Sequence, residues 1–307
     1  MRLNGEGIKL KMKLQGSVYV FVCYVMYGLF PVFWKQLATV NSFYVLAVRV
    51  VWSLLILLGI LVVCRELDSV RVVLKDRKKL GILALASGFL CLNWGSYIWA
   101  VNSGRGVDAS LAYYIAPILS ILLGNMVFRE RLTKLQWFSI AVTFVGLVVT
   151  VVRSGQMPWV ALIIGGSFVI YSALKKEIRV KSNVSMFFET LYLAPFALVL
   201  MVWLDQQGNG AVGVLRGWQW LLLPAAGMIT VIPLLLFSKG IQDTSMSLAG
   251  ILMYINPTLQ LMISVWLYHE EFTTTHAILF GFVGVGVMIY LVASLLERRR
   301  KEYNRCE

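Results

Sequence analysis

The sequence predicts an all-α membrane protein of ten transmembrane helices, arranged as two inverted five-helix repeats. Composition is the first reason. Of 307 residues, 59% are hydrophobic and only 14% are charged, with a mean hydropathy of +0.77. Soluble domains sit nearer half apolar and a quarter charged. Apolar runs recur along the whole length, which points to a polytopic protein rather than a soluble domain with an anchor. The second reason is internal repetition. Tyr114-Ile115-Ala116-Pro117 returns as Tyr254-Ile255-Asn256-Pro257. Leu119, Glu130 and Thr133 return as Leu259, Glu270 and Thr273, at the same spacing. An odd number of spans in each half turns the second copy upside down, which is the construction of secondary transporters.

The elements follow in order. Residues 1–16 read as a basic cytoplasmic tail. The first span covers about 17–36. It is too long for a signal peptide, carries bulky residues up to Trp34 and lacks a small-x-small cleavage site, so it reads as uncleaved. Spans two to five cover about 43–64, 80–101, 107–128 and 135–153, closing a first repeat over 17–153. The second repeat, 158–296, holds spans at about 158–174, 184–204, 218–238, 245–268 and 274–296. A basic cytoplasmic tail, 297–307, follows. Most spans approach the ~20 residues that cross ~30 Å of hydrocarbon.

Charge sets the orientation. With the N-terminus inside, the inside segments hold 23 of the 28 Lys and Arg. The outside loops hold Lys35, Arg105, Arg153 and Arg216, and Arg49 lies within the second span. This positive-inside bias places both termini in the cytoplasm. It also accounts for the net charge of +13 and the runs Arg77-Lys78-Lys79 and Arg298-Arg299-Arg300-Lys301 with no nucleic-acid partner. The repeat shows a matching charge swap. Arg129-Glu130-Arg131 closes the first copy inside, and His269-Glu270-Glu271 closes the second outside.

Several stretches resemble the drug/metabolite transporter superfamily of EamA type, and within it the RarD-like permeases. They are Tyr27-Gly28-Leu29-Phe30-Pro31-Val32-Phe33-Trp34-Lys35, Arg49-Val50-Val51-Trp52-Ser53, and Leu92 to Asn102 followed by Ala109 to Tyr114. In the second half they are Glu189-Thr190-Leu191 and Tyr254 to Gln260. The resemblance covers nearly the whole chain. It implies two EamA-type repeats in the bacterial inner membrane and a permease for small organic solutes. The cargo so implied is an amino acid-like metabolite or a drug such as a chloramphenicol-type amphiphile, with efflux the favoured direction.

Polar groups inside spans are costly, at least ~2.5–3.5 kcal/mol for a central charge on insertion scales. Arg49 and Glu189 are repeat equivalents, each about six residues or ~9 Å into its span from opposite faces. Across a ~30 Å core their Cα levels differ by roughly 12 Å, so direct pairing is not assured. Arg49 is the candidate holder of an anionic or carbonyl group. Glu189 is the candidate for proton coupling or charge relay, or for binding a cationic cargo, the alternative for both residues being structural pairing or snorkelling. Asn93, Trp94 and Tyr97 share one face of the third span and suit a flat or amphipathic organic solute, the alternatives being an interhelical hydrogen bond for Asn93 and lipid or interface packing for Trp94. Met253, Asn256, Gln260 and Ser264 form a stripe on the ninth span. Its equivalents on the fourth are Tyr113, Ala116, Ser120 and Gly124, and the two stripes together suggest a central pathway, with close packing through small residues as the alternative. Pro117 and Pro257 each remove a backbone bond and are candidates for gating kinks or for static ones. Lys239, at the end of the eighth span, is a second candidate for coupling or charge relay if it faces a cytoplasmic vestibule, the alternative being a positive-inside anchor. Glu130 and Glu270 suggest structural roles at helix ends. Gly281, Gly284 and Gly286 suit tight packing or a homodimer contact.

Other chemistries lack their residues. Four cysteines are scattered with no CxxC, and there is no Walker A sequence. Gly104 to Ala109 mimics GxGxxA, but it falls in a loop between spans. His269 and His276 form no metal or triad constellation. The reading is therefore a transporter with no cofactor or metal, not an enzyme. Its partners are a small-molecule substrate and the lipid bilayer. The contrasting class is a non-transporting membrane sensor or scaffold, for which the short tails supply no output domain.

Overall fold

The computed structural model describes residues 2–103, 105–154, 158–269 and 274–306. Its helices are α1 (Arg2–Trp34), α2 (Ser42–Val63), α3 (Leu67–Leu74), α4 (Arg77–Asn102), α5 (Gly106–Met126) and α6 (Lys134–Ser154) in the first half. The second half holds α7 (Trp159–Glu177), α8 (Ser182–Gln206), α9 (Leu222–Ile241), α10 (Met246–Met253), α11 (Ile255–Tyr268) and α12 (Thr274–Cys306). Short 3₁₀ turns follow α1 and precede α9. There is no strand among the described residues. Among the described residues, ten helical segments are long and apolar enough to cross a membrane. Many large apolar side chains on their outward faces are exposed, including Phe138, Phe196 and Val199. A bundle apolar on its outside is solvated by lipid.

Local signals set the ends. Asn41 caps α2, its Oδ1 accepting from the Phe43 and Tyr44 amides at 2.9 and 3.4 Å. Asp76 caps α4 through the Lys79 amide, and Ser245 caps α10 through the Leu248 amide. Such side chains satisfy donors that a helix start leaves open. The chain turns left-handed at Arg129 and His269, with φ of 53° and 56°. These two residues are repeat equivalents, so the repeat extends to an uncommon backbone conformation at a non-glycine residue.

The packing repeats as well. The sequence equivalences pair α1 with α7, α2 with α8, α4 with α9, α5 with α10 and α11, and α6 with α12. Helix α1 packs on α9 as α7 packs on α4, and α1 packs on α11 as α7 packs on α5. Helix α2 packs on α9 as α8 packs on α4. The remaining principal contacts, α2 on α8, α5 on α10 and α6 on α12, each join an element to its own equivalent. The pattern of principal contacts is thus unchanged when the halves are exchanged. Glycines secure the last pair. A Cβ on Gly146 would lie 2.4 Å from Cβ of Phe282, and one on its equivalent Gly286 would lie 2.1 Å from Oγ1 of Thr143. Gly281 and Gly284 face open space, so close packing falls to Gly286 alone of the three on α12.

Three features differ from the sequence expectation. The segment 65–79 contains α3, whose Val73 packs with Leu61, Leu83 and Val184. Eight residues between two charged clusters are too short to register as an element by periodicity. The ninth span is broken at Tyr254 between α10 and α11, three residues before Pro257, while its equivalent α5 carries Pro117 unbroken. The sixth span runs on to Glu177, so Lys175, expected in a cytoplasmic segment, is helical and fully buried.

Candidate functional site: an aromatic cavity around Arg49

Helices from both halves enclose a cavity of about 400 Å³. This is within the size range of small-molecule sites. Helix α1 contributes Tyr24, Tyr27 and Trp34, and α2 contributes Val45 and Arg49. Helix α4 contributes Asn93, Trp94 and Tyr97, and α5 contributes Tyr113 and Ala116. The second half closes it with Ile164, Gly165 and Phe168 of α7, Leu234 of α9, Met253 of α10 and Asn256 and Gln260 of α11. The cavity reaches the end of the bundle where α1 passes to α2, at Leu37, Ala38, Val40 and Ser42.

Arg49 is the single formally charged residue in this lining. Its guanidinium carbon lies 4.0 Å from the Trp94 ring centre and 5.7 Å from that of Trp34. Its Nε is buried with no hydrogen-bond partner, and among the described residues no carboxylate pairs with it. A desolvated cation over an indole gains about 2 kcal/mol. That contact uses the ring face and leaves the in-plane N–H donors to be satisfied by something else.

The other polar groups are oriented by helix ends and kinks. Nδ2 of Asn93 donates to the Ile164 carbonyl at 2.8 Å, tying α4 to α7. Pro31 lacks an N–H, which orphans the Tyr27 carbonyl one turn earlier. Gln260 answers it, its Nε2 reaching that oxygen at 3.5 Å and Oδ1 of Asn256 at 2.7 Å. Tyr97 and Tyr113 meet edge to face at 5.8 Å. At the kink in the ninth span, the Tyr254 hydroxyl donates to the Tyr114 carbonyl at 3.4 Å.

The cavity floor is an aromatic layer. Phe237 stacks on Tyr171 at 6.2 Å and lies 5.5 Å from Phe168 and 6.1 Å from Tyr24. Beyond it, with both side chains fully buried, Lys175 Nζ meets Glu189 Oε1 at 2.5 Å. Ser185 donates to the same oxygen at 2.8 Å and Tyr171 donates to Oε2 at 3.1 Å. The carboxylate is fully engaged.

The structure therefore brings together Arg49, Asn93, Trp94, Tyr97, Tyr113, Met253, Asn256 and Gln260. It places other candidates elsewhere. Ser120 does not line the cavity: it is buried between α5 and α10, where its hydroxyl donates to the Met246 carbonyl at 2.9 Å. Gly124 packs against Met246, and Ser264 is not in the lining. Glu189 is not with Arg49 but with Lys175. Pro117 and Pro257 are buried in the wall between the two halves. Lys239 is exposed, its Nζ 4.6 Å from the Tyr19 ring. Glu130 caps α10 across the repeat boundary, accepting from the Met246 amide at 2.7 Å and from the Ser247 amide and hydroxyl at 2.9 and 2.6 Å. Glu270 lies outside the described residues.

Sequence reasoning did not select Tyr24, Tyr27, Trp34, Phe168 or Lys175 as site residues. The signal for the first three is an aromatic stripe at helical spacing along α1. Lys175 gave none, because a basic residue at a cytoplasmic helix end reads as an anchor.

Comparison with known proteins completes the description. The model of the EamA-like transporter family matches residues 14–152 and 157–292. An uncharacterized transporter of Vibrio cholerae serotype O1 is 35% identical over 282 residues, 92% of this chain and 93% of that one. Protein RarD of Streptomyces exfoliatus is 35% identical over 285 residues, 93% of this chain and 90% of its own. A protein of known crystal structure superposes with a TM-score of 0.72 over 91% of this chain and 98% of its own, at 19% identity. That last likeness concerns the fold alone.

Proposed function

This chain belongs to the EamA-like transporter family, and we propose that it moves a small organic solute, an amino acid-like metabolite or an amphipathic drug, across the bacterial inner membrane by alternating access. The observation that carries this reading is Arg49, a cation with, among the described residues, no counter-charge and no hydrogen-bond partner at Nε, inside an aromatic cavity that is open toward one end of the bundle and floored at the other. Uncompensated buried charge is expensive, so a group that satisfies it belongs to something that visits. Alternating access is supported by the exchange symmetry of the contacts and by five spans per repeat. Two halves of opposite orientation exchange conformations by rocking about a central site. The positive-inside bias puts both termini in the cytoplasm and so the cavity mouth at the outer face. Efflux as the direction is carried over from the family resemblance.

In this proposal Lys175 and Glu189 form the coupling element. Opening the inner side exposes the pair to water, where the carboxylate exchanges a proton. Glu189→Gln then abolishes the dependence of flux on an imposed pH gradient, and unchanged dependence removes the coupling role. The transport reading itself is tested by reconstitution in liposomes with a panel of labelled amino acids and small drugs. Saturable flux of one solute, lost in Arg49→Ala and in Trp94→Ala, supports it. Absence of flux in protein that unfolds cooperatively contradicts it.

A further inference from the structure

Resting on the transport reading above and narrowing its solute class, from which it removes the zwitterionic amino acids, we propose that the solute this cavity takes is an organic monoanion with a flat unsaturated body, rather than a zwitterion or a cation. The lining supplies one positive charge and, among the described residues, no negative one. A zwitterionic amino acid needs a carboxylate or several acceptors for its ammonium. Among the described residues the one buried acid, Glu189, has both oxygens taken by Lys175, Ser185 and Tyr171 behind the aromatic floor. A dianion would bring a second charge with no counter-charge in the lining. A cation would meet Arg49 with like charge across a low-dielectric space, which repels it. A monoanion leaves no charge uncompensated.

The body of the solute follows from the walls. Trp34 and Trp94 flank the guanidinium, and Tyr97 and Tyr113 continue the aromatic surface at 5.8 Å from each other. Flat rings stack or meet edge to face on such walls. A guanidinium held over an indole face presents its donors edge-on, where a planar carboxylate accepts two parallel hydrogen bonds. Both features select a planar acid head joined to a ring.

The test uses four ligands on one C9 skeleton: 3-phenylpropanoate, phenylalanine, 3-phenylpropylamine and 3-phenylpropan-1-ol. Their affinities for the purified full-length protein are measured by titration calorimetry at pH 7, and their fluxes in proteoliposomes. The anion is expected to bind tightest. In Arg49→Gln its affinity falls by about 30-fold, the factor for about 2 kcal/mol in a charge-assisted hydrogen bond, while the alcohol changes by less than about threefold. Arg49→Lys keeps the rank order, which separates charge from folding. Tighter binding and flux of the amine or the amino acid overturn the anion class and leave the transport reading standing. Flux of none of the four, with none bound, overturns both.

Discussion

Removing one member of the Lys175–Glu189 pair should destabilise this protein far more than removing both. The two side chains are fully buried and 2.5 Å apart. In Glu189→Leu the ammonium keeps only the Ser185 hydroxyl, its other contact in this network. In Lys175→Met the carboxylate keeps two hydroxyl donors and no counter-charge. Leaving a buried charge unpaired costs about 3–5 kcal/mol, whereas replacing a buried pair by apolar groups of similar volume is often neutral. The double variant should therefore recover most of the loss, with a coupling energy between the sites close to the sum of the two single losses, about 6–10 kcal/mol. At roughly 2 °C per kcal/mol for a chain of this size, each single variant melts roughly 6–10 °C below the parent. The assay is thermal unfolding in detergent followed by tryptophan fluorescence, with the four proteins run side by side. Additive losses, with the double variant lower than either single one, would refute the pair as the reason these residues are tolerated in the core.

Other consequences are as specific. Glu130→Ala strips three hydrogen bonds from the start of α10 and should cost about 1–3 kcal/mol, with Glu130→Gln losing less, both read by the same unfolding assay. Gly146→Ala forces a Cβ onto Phe282 and should cost about 1–3 kcal/mol, while Gly284→Ala, which faces open space, stays within about 0.5 kcal/mol. The Lys79 amide and ammonium hold the Asp76 carboxyl below the usual carboxylate range. A depressed folded value gives stability that is present above the unfolded value of about 3.9 and is lost as pH falls through the folded one. The unfolding midpoint of the parent should therefore converge on that of Asp76→Asn as pH drops from about 5 to below that point, and a constant difference would contradict the cap.

The sequence made the spans and the repeat legible because both rest on signals that survive without tertiary information: apolar length, and identity at a fixed spacing. Asn93, Trp94 and Tyr97 were placed on one face by helical period alone, and the face they share is in the cavity wall. Helical period could not say how far along a stripe the cavity extends. Ser120 sits one turn beyond Ala116 on α5, and there α10 has already closed over it. Charge gave the opposite difficulty. Lys175 and Glu189 are fourteen residues apart on consecutive helices, and their pairing depends on where α7 ends. A boundary error of three residues moves a lysine from lipid headgroups to the core. The aromatic stripe of α1 was passed over because apolar residues of a first span are indistinguishable in sequence from those that face lipid. The repeat itself hid one asymmetry: Arg49 and Glu189 are equivalent in sequence, yet among the described residues only Glu189 has a counter-charge.

The most direct test of the account is to plug the cavity. Val45 lines it near the mouth, so Val45→Cys in a background with the four native cysteines replaced allows a membrane-impermeant thiol reagent to be attached there. If the cavity around Arg49 is the pathway and the reagent is a thiosulfonate that attaches through a disulfide, flux of the transported solute stops on labelling and returns when that disulfide is reduced, and the solute slows the labelling by shielding the thiol. Undiminished flux through fully labelled protein would place the pathway elsewhere and contradict the account.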